Sequence, residues 1–196
     1  MRVGREGADR FDQGGTESMK TLDLGCGQHT KLPGSVGLDL RPAPHVDVVH
    51  DLDAYPYPFE ENTFDHIEMS HVIEHVARPL HLMNEVHRIA KSGSTVRIIT
   101  THYSSQLSYG DLEHFHHLGW ITFHALQGSG LFRILRHKLW FTDLYKVLGI
   151  AFLANRAPRR WEKYLAFIFP ALYIEVVLEV LKDPAARRDL VSRNIY

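Results

Sequence analysis

Hydrophobic residues in the first hundred positions come in short runs closed by glycine, proline or an acid, a pattern that predicts buried strands. Residues 20–24, 36–40 and 46–50 are three such runs, and Phe64-Asp65-His66-Ile67-Glu68-Met69 is a fourth, ended by Ser70. Pro56 and Pro58 make residues 54–62 a loop, because neither ring can continue a ladder or a helix interior. Pro79 opens a helix over residues 80–90, where Leu82, Val86 and Ile89 recur at helical spacing and Lys91-Ser92-Gly93 stops it. The β-branched run 94–100 predicts a fifth strand. Farther on, residues 131–141 alternate as a strand and 160–167 have helical character. Ile174, Val176, Leu178 and Val180 share one face of a last strand over 173–182.

Strands alternating with helices or crossover loops imply an α/β fold with a Rossmann-like, mostly parallel sheet, and ligands at the carboxyl ends of its strands. The late strands predict a C-terminal antiparallel strand pair closing that sheet. A chain of 196 residues is enough for one core. A single domain is therefore expected over residues 19–182, between a Gly-, Arg- and Asp-rich flexible arm at 1–18, without a signal-peptide core, and a tail at 183–196. Residues 164–174 carry no charge but are shorter than the roughly 20 apolar residues that cross a bilayer. They are expected to be a core segment in preference to a membrane-surface contact, the alternative suggested by the apolar stretch at 144–154.

Charge changes this picture by exclusion. A formal net charge of -1 with both signs interspersed leaves no basic stripe for nucleic-acid phosphates. The one cysteine, Cys26, rules out an internal disulfide framework, fits a reducing cytoplasm and reads as a small residue filling a tight turn.

The chemistry concentrates in Thr21-Leu22-Asp23-Leu24-Gly25-Cys26-Gly27 and the following Val36-Gly37-Leu38-Asp39-Leu40. A buried strand ending in Gly-x-Gly lets backbone approach a bulky ligand, and an acid ending the next strand can take a ribose diol. A dinucleotide site would need Gly-x-Gly-x-x-Gly opening a helix, which residues 28–33 do not supply. Two further motifs follow: Phe64-Asp65-His66-Ile67-Glu68-Met69-Ser70-His71-Val72-Ile73-Glu74-His75, and Glu85-Val86-His87-Arg88-Ile89-Ala90-Lys91-Ser92-Gly93. In order and spacing the three together resemble the class I S-adenosylmethionine-dependent methyltransferases, in particular a small subgroup carrying this set. The resemblance runs from residue 20 to about 103. Gln28 stands where the family often has a third glycine, and only residues 28–36 separate Gly27 from the core of the second strand, so the first helix is expected to be shortened to a turn or loop.

The resemblance implies S-adenosyl-L-methionine as cofactor. It places Gly25, Cys26 and Gly27 against the cofactor, with Asp23 near its amino-acid end, and Asp39 on the ribose hydroxyls beside Leu40. Asp51 meets the adenine amino group, Leu52 packs on the ring, and Ser70 and His71 face the sulfonium. Asp39 and Asp51 are equally the residue type that caps a turn. The implied activity is methyl transfer by direct displacement, for which positioning matters most and a base only for hydroxyl or protonated amine acceptors. His71, His102 and His114 are the candidates for orienting or deprotonating the acceptor. The nearby rings of Tyr103, Tyr109, Phe115, Trp120 and Phe123 read first as lid and core, and suit a small-molecule or glycan acceptor.

Two other classes use the same residues. His71-Val72-Ile73-Glu74-His75 also fits H-x-x-E-H, the inverted zinc-peptidase motif, but that motif belongs on a long helix and here directly follows a strand. His102, His114, His116 and His117 are the residues from which a metal site would be drawn, although none is assigned. The shortened loop after Gly27 also admits a non-enzymatic subunit that keeps the cofactor fold and serves a partner.

Overall fold

A computed structural model describes residues 19–27 and 31–185 of the chain. Among these, seven strands form one sheet: β1 (Thr21–Leu24), β2 (Val36–Asp39), β3 (Val48–Val49), β4 (Phe64–Ser70), β5 (Ala90–Thr101), β6 (Phe132–Trp140) and β7 (Tyr173–Val180). Their order is β3-β2-β1-β4-β5-β7-β6. The first five pair in parallel, and β7 runs antiparallel to both β5 and β6, so the expected Rossmann-like sheet with its closing antiparallel pair is present. From β1 the chain proceeds to β2 and β3 on one side and then returns to β4 on the other. That reversal opens a crevice at the carboxyl ends of β1 and β4. Residues 31–35 enter β2 without a helix, while residues 28–30, the expected arm at 1–18 and most of the expected tail lie outside the described residues.

The strands alternate so that the sheet has two unlike faces. Leu22, Leu24, Leu38, Ile67, Met69, Val96, Ile98, Ile174, Val176 and Leu178 are fully buried and share one face by register. Helix α1 (Pro79–Ile89) adds Leu82, Met83, Val86 and Ile89 to this core. The opposite face carries Glu68, Arg97 and Glu175. Arg97 donates Nη1 to Glu68 Oε1 and Nε to Glu175 Oε1 (2.9 Å), and Trp140 Nε1 donates to Glu175 Oε2 (2.8 Å). The two carboxylates are thus buried with their charge answered, the condition under which burial is tolerated.

Two expectations need correction. The helix ends at Ile89, within two residues of the stop expected at Lys91-Ser92-Gly93, but the fifth strand begins before residue 94: Ala90 turns directly into extended backbone and pairs with Phe64. The surplus residues bulge out before the register resumes at His66 and Thr95, helped by Gly93 at φ 77°. Residues 164–174 are not a core segment. Ala166, Ala171 and Ile174 are buried, but Tyr164, Leu165, Phe167 and Ile168 are exposed. They follow three short helices, α4 (Asp143–Val147), α5 (Ile150–Arg156) and α6 (Pro158–Tyr164), that link β6 to β7. Between β5 and β6 lie α2 (Gln106–Gly110) and α3 (Trp120–Gly128).

Candidate active site

At the end of β1 the backbone enters the left-handed region twice, at Gly25 (φ 71°) and Gly27 (φ 73°), which glycine adopts without the clash a Cβ brings. A Cβ on Gly25 would stand 2.5 Å from Val72 Cγ2, so the turn lies directly on the segment leaving β4. Gly25 N and Cys26 N both donate to Leu38 O. Asp39 ties the turn to the next strand by accepting from Gly27 N at Oδ2 (2.8 Å) and from Arg41 N at Oδ1 (3.0 Å). Cys26 occupies the space that Gly37 leaves open, since a Cβ there would be 3.0 Å from its Sγ. Burial, with Asp23 and Asp39 nearby, pushes its thiol up to about 11, so it is a packed residue and no nucleophile at neutral pH.

Beneath this turn opens a cleft of about 520 Å³, within the range of small-molecule sites. Of the residues expected from the sequence, Gly25, Gly27, Asp39, Leu40, Asp51, Leu52 and His71 line it. Phe115, one of the rings expected nearby, lines it too, as do Arg41, Asp53, Val72, His75, Val76 and Glu113, which were not assigned to the site. Asp51 accepts from Asp53 N (2.9 Å), and Asp53 accepts from Ala77 N and Arg78 N, which holds the approach to α1 against the cleft. Tyr57 Oη donates to Leu52 O (2.8 Å). The loop carrying Tyr57 is clamped by Arg88, which donates to the Tyr57 and Phe59 carbonyls and to Glu85. The Arg88 guanidinium holds the Glu85 carboxyl below its usual range.

Five expected residues stand outside the cleft lining. Asp23 is buried and accepts from Leu32 N (2.8 Å), fastening residues 31–35 to β1; burial raises its pKa against that hydrogen bond. Cys26 packs on Gly37, and Ser70 ends β4 on the exposed side. His102 is fully buried with both ring nitrogens engaged, Nε2 with Glu162 Oε1 (3.0 Å) and Nδ1 with Ser104 Oγ (2.8 Å). It serves the α6 contact. His114 lines an adjoining depression together with His71, His75, Thr101 and Tyr173.

His71 and His75 are shared by both cavities. His71 has the unusual backbone. It holds φ 56°, a value non-glycine residues seldom adopt. Its ring packs edge-on to Tyr173 at 5.1 Å, and Nδ1 lies 3.2 Å from Glu74 Oε1. Glu74 is fully buried and also accepts from Thr101 N (3.3 Å). Burial opposes its ionisation, but its hydrogen bonds, that from His71 foremost, outweigh it and set the carboxyl below its ordinary value. A carboxylate at Nδ1 favours the tautomer protonated there, with Nε2 left as the acceptor nitrogen. This pairing is the part of the site that sequence reading missed, although His71-x-x-Glu74 was in plain view.

The same geometry bears on the zinc reading. His71 precedes a 3-10 turn (Ile73–His75) and is not on a long helix; Glu74 Oε1 is engaged by His71 and Thr101 N, and its Oε2 is buried without a hydrogen-bond partner among the described residues. His102, His114, His116 and His117 are not gathered: His102 is held by Glu162, and His117 Nδ1 bonds Ser108 Oγ (2.8 Å). The metal-ligating atoms that do converge, within 4.8 Å, belong to Glu74, His75 and His114.

Comparison with known proteins follows this geometry. Residues 22–98 match the family model described as "Methyltransferase domain". A demethylmenaquinone methyltransferase of Lysinibacillus sphaericus is 29% identical over 77 residues, 39% of this chain and 32% of the relative, so the chain spans about a third of the length of the curated relative it matches. An S-adenosylmethionine-dependent methyltransferase of Archaeoglobus fulgidus superposes with a TM-score of 0.59 at 18% identity, covering 82% of this chain and 86% of that one. A second, from Mesorhizobium loti, gives 0.56 at 18% identity over 82% and 90%. At such identities the structural likeness speaks for the fold.

Proposed function

We propose that this chain, which carries a class I S-adenosylmethionine-dependent methyltransferase domain, holds S-adenosylmethionine in the cleft at the carboxyl ends of β1, β2 and β4. There it transfers the methyl group to a small-molecule or glycan acceptor. The observation that carries the reading is one cleft lined by both the left-handed Gly25-Cys26-Gly27 turn and the Asp39 carboxylate.

The residues present suit the group. An ionised carboxylate has about four acceptor positions; Asp39 gives two to backbone N–H groups and keeps the others for a ribose diol. Asp51 has one oxygen on Asp53 N and the second for the adenine amino group, with Leu40 and Leu52 offering apolar surface to the ring. Gly27 presents bare backbone, and a Cβ there would meet no protein atom within 4 Å, leaving room for the amino-acid end. When bound, S-adenosylmethionine supplies a methyl group on a sulfonium, open to displacement by an acceptor lone pair. His71 orients that acceptor and, where it is a hydroxyl or ammonium, takes its proton at Nε2 while Glu74 holds the ring. His75, His114 and Phe115 flank the acceptor side. The Lysinibacillus relative is named for demethylmenaquinone, in keeping with the small-molecule side of this reading.

Calorimetry with S-adenosylmethionine tests it. The wild-type chain is expected to bind, and Asp39→Ala to weaken binding on the order of a hundredfold, the worth of two charge-assisted hydrogen bonds. Asp39→Asn, which retains acceptor oxygen for the turn, should fall between. Absence of a binding heat in the wild type would overturn the reading. Formation of S-adenosylhomocysteine with a panel of acceptors then identifies the acceptor class.

A further inference from the structure

The segment between β6 and β7 is the least water-compatible surface among the described residues. Leu144 is 63% exposed, Val147 85%, Phe152 72%, Leu153 65%, Phe167 75% and Ile168 63%. Scattered surface apolar side chains are ordinary; a contiguous group of this size on adjoining short helices marks a contact surface. The helices turn their small or polar residues inward: Ala154 is buried and Asn155 caps the free edge of β6, accepting from Leu139 N and donating to Leu139 O. Trp161 of α6 is buried as well, and the other large apolar residues named above are left outside.

Charge indicates what covers them. The chain as a whole has a formal charge of -1, yet residues 143–168 contain five basic and two acidic side chains. Lys146 pairs with Asp143, and Glu162 is turned inward to His102. Arg156, Arg159, Arg160 and Lys163 are exposed on the same connecting segment, with Arg159 and Lys163 along the groove shared with Ile121 and Thr122 of α3. Exposed apolar side chains on one segment with arginine and lysine match an anionic bilayer surface, where the rings enter the headgroup boundary and the cations meet lipid phosphate. A two-fold contact with a second copy would instead bring four cations against four. No described helix is long and apolar enough to cross a membrane, so the contact is interfacial.

We propose that residues 144–168 form a docking surface for anionic phospholipid membranes. Topology places this surface on the rim of the cleft. Trp140 pairs with Tyr173, and Tyr173 with Thr101, so the segment leaves and re-enters the sheet at the edge where β4 and β5 end. Tyr173 packs against His71. Docking there sets the histidine side of the cleft close to the lipid headgroups.

Vesicle co-sedimentation of the full chain tests this, with no cofactor required. Binding should be at least tenfold stronger to phosphatidylcholine vesicles containing about 30 mol% phosphatidylglycerol than to pure phosphatidylcholine. The double variant Phe152→Glu/Phe167→Glu should lose about tenfold or more in binding to the anionic vesicles. Arg159→Glu/Arg160→Glu, at exposed positions, should abolish the preference for anionic lipid, whereas Leu80→Glu on α1 should bind as wild type. Circular dichroism verifies that each variant is folded. Failure of the wild type to sediment, equal binding by both double variants, or a wild-type dimer in light scattering that Phe152→Glu/Phe167→Glu dissociates would each overturn the proposal.

Discussion

At the scale of single residues, the site turns on side chains whose roles depend on a neighbour far away in sequence. Gly25 is required by Val72, 47 positions on, as much as by its own left-handed backbone. His71 and Glu74 are close in sequence, but their pairing is fixed by the fold, which buries Glu74 and gives it Thr101 N as a second donor. From this follows a pair of expectations. His71→Ala should lower turnover by roughly 10²–10⁴-fold, the usual worth of a positioned acid or base, and leave S-adenosylmethionine affinity within a few fold. Glu74→Gln, which removes the charge opposite Nδ1, should lower turnover in the same direction and shift the alkaline or acid limb of the pH–rate profile. Equal losses in affinity and turnover would assign both residues to the cofactor and not the acceptor. His102 illustrates the opposite outcome, a histidine placed by motif order on the acceptor rim and by packing inside the protein.

At the scale of elements, alternation along β4, β5 and β7 was legible because one face of the sheet is apolar and the other charged, so period two survives even in parallel strands. The segment 164–174 was misjudged because lack of charge was equated with burial, whereas three short helices hold its large side chains outside. The β6–α3 contact offers a pH prediction. His137 lies under Trp120, ring centroids 3.6 Å apart, and both of its nitrogens are buried without a hydrogen-bond partner among the described residues. Burial, with His124 and His102 adding to it, depresses its pKa to about 3. A depressed histidine is neutral in the folded chain and binds its proton only on unfolding. Its contribution is therefore intact above about pH 6.5 and is lost as pH falls toward 3. Denaturant titrations of the wild type should show a loss of about 1–2 kcal/mol between pH 7 and 5 from this group. His137→Phe, which keeps the stack, should remove that part of the slope.

At the scale of the whole molecule, the sheet order β3-β2-β1-β4-β5-β7-β6 brings Gly25, Gly27, Asp39, Asp51 and His71 to one crevice. A ligand held between such distant segments stabilises the whole fold. S-adenosylmethionine at about a hundred times its Kd should add about 2.7 kcal/mol, a rise in Tm of roughly 5–10 °C that Asp39→Ala should not show. Hydrophobic periodicity and the order of three short motifs, which are local properties of the chain, were enough for the α/β class, the antiparallel finish and seven of the residues that line the cleft. Which histidines join them was decided by tertiary structure alone. Which histidine faces the cavity, which is buried, and where the apolar side chains of residues 144–168 point all depend on contacts between segments tens of residues apart. No local pattern of residue types encodes such contacts.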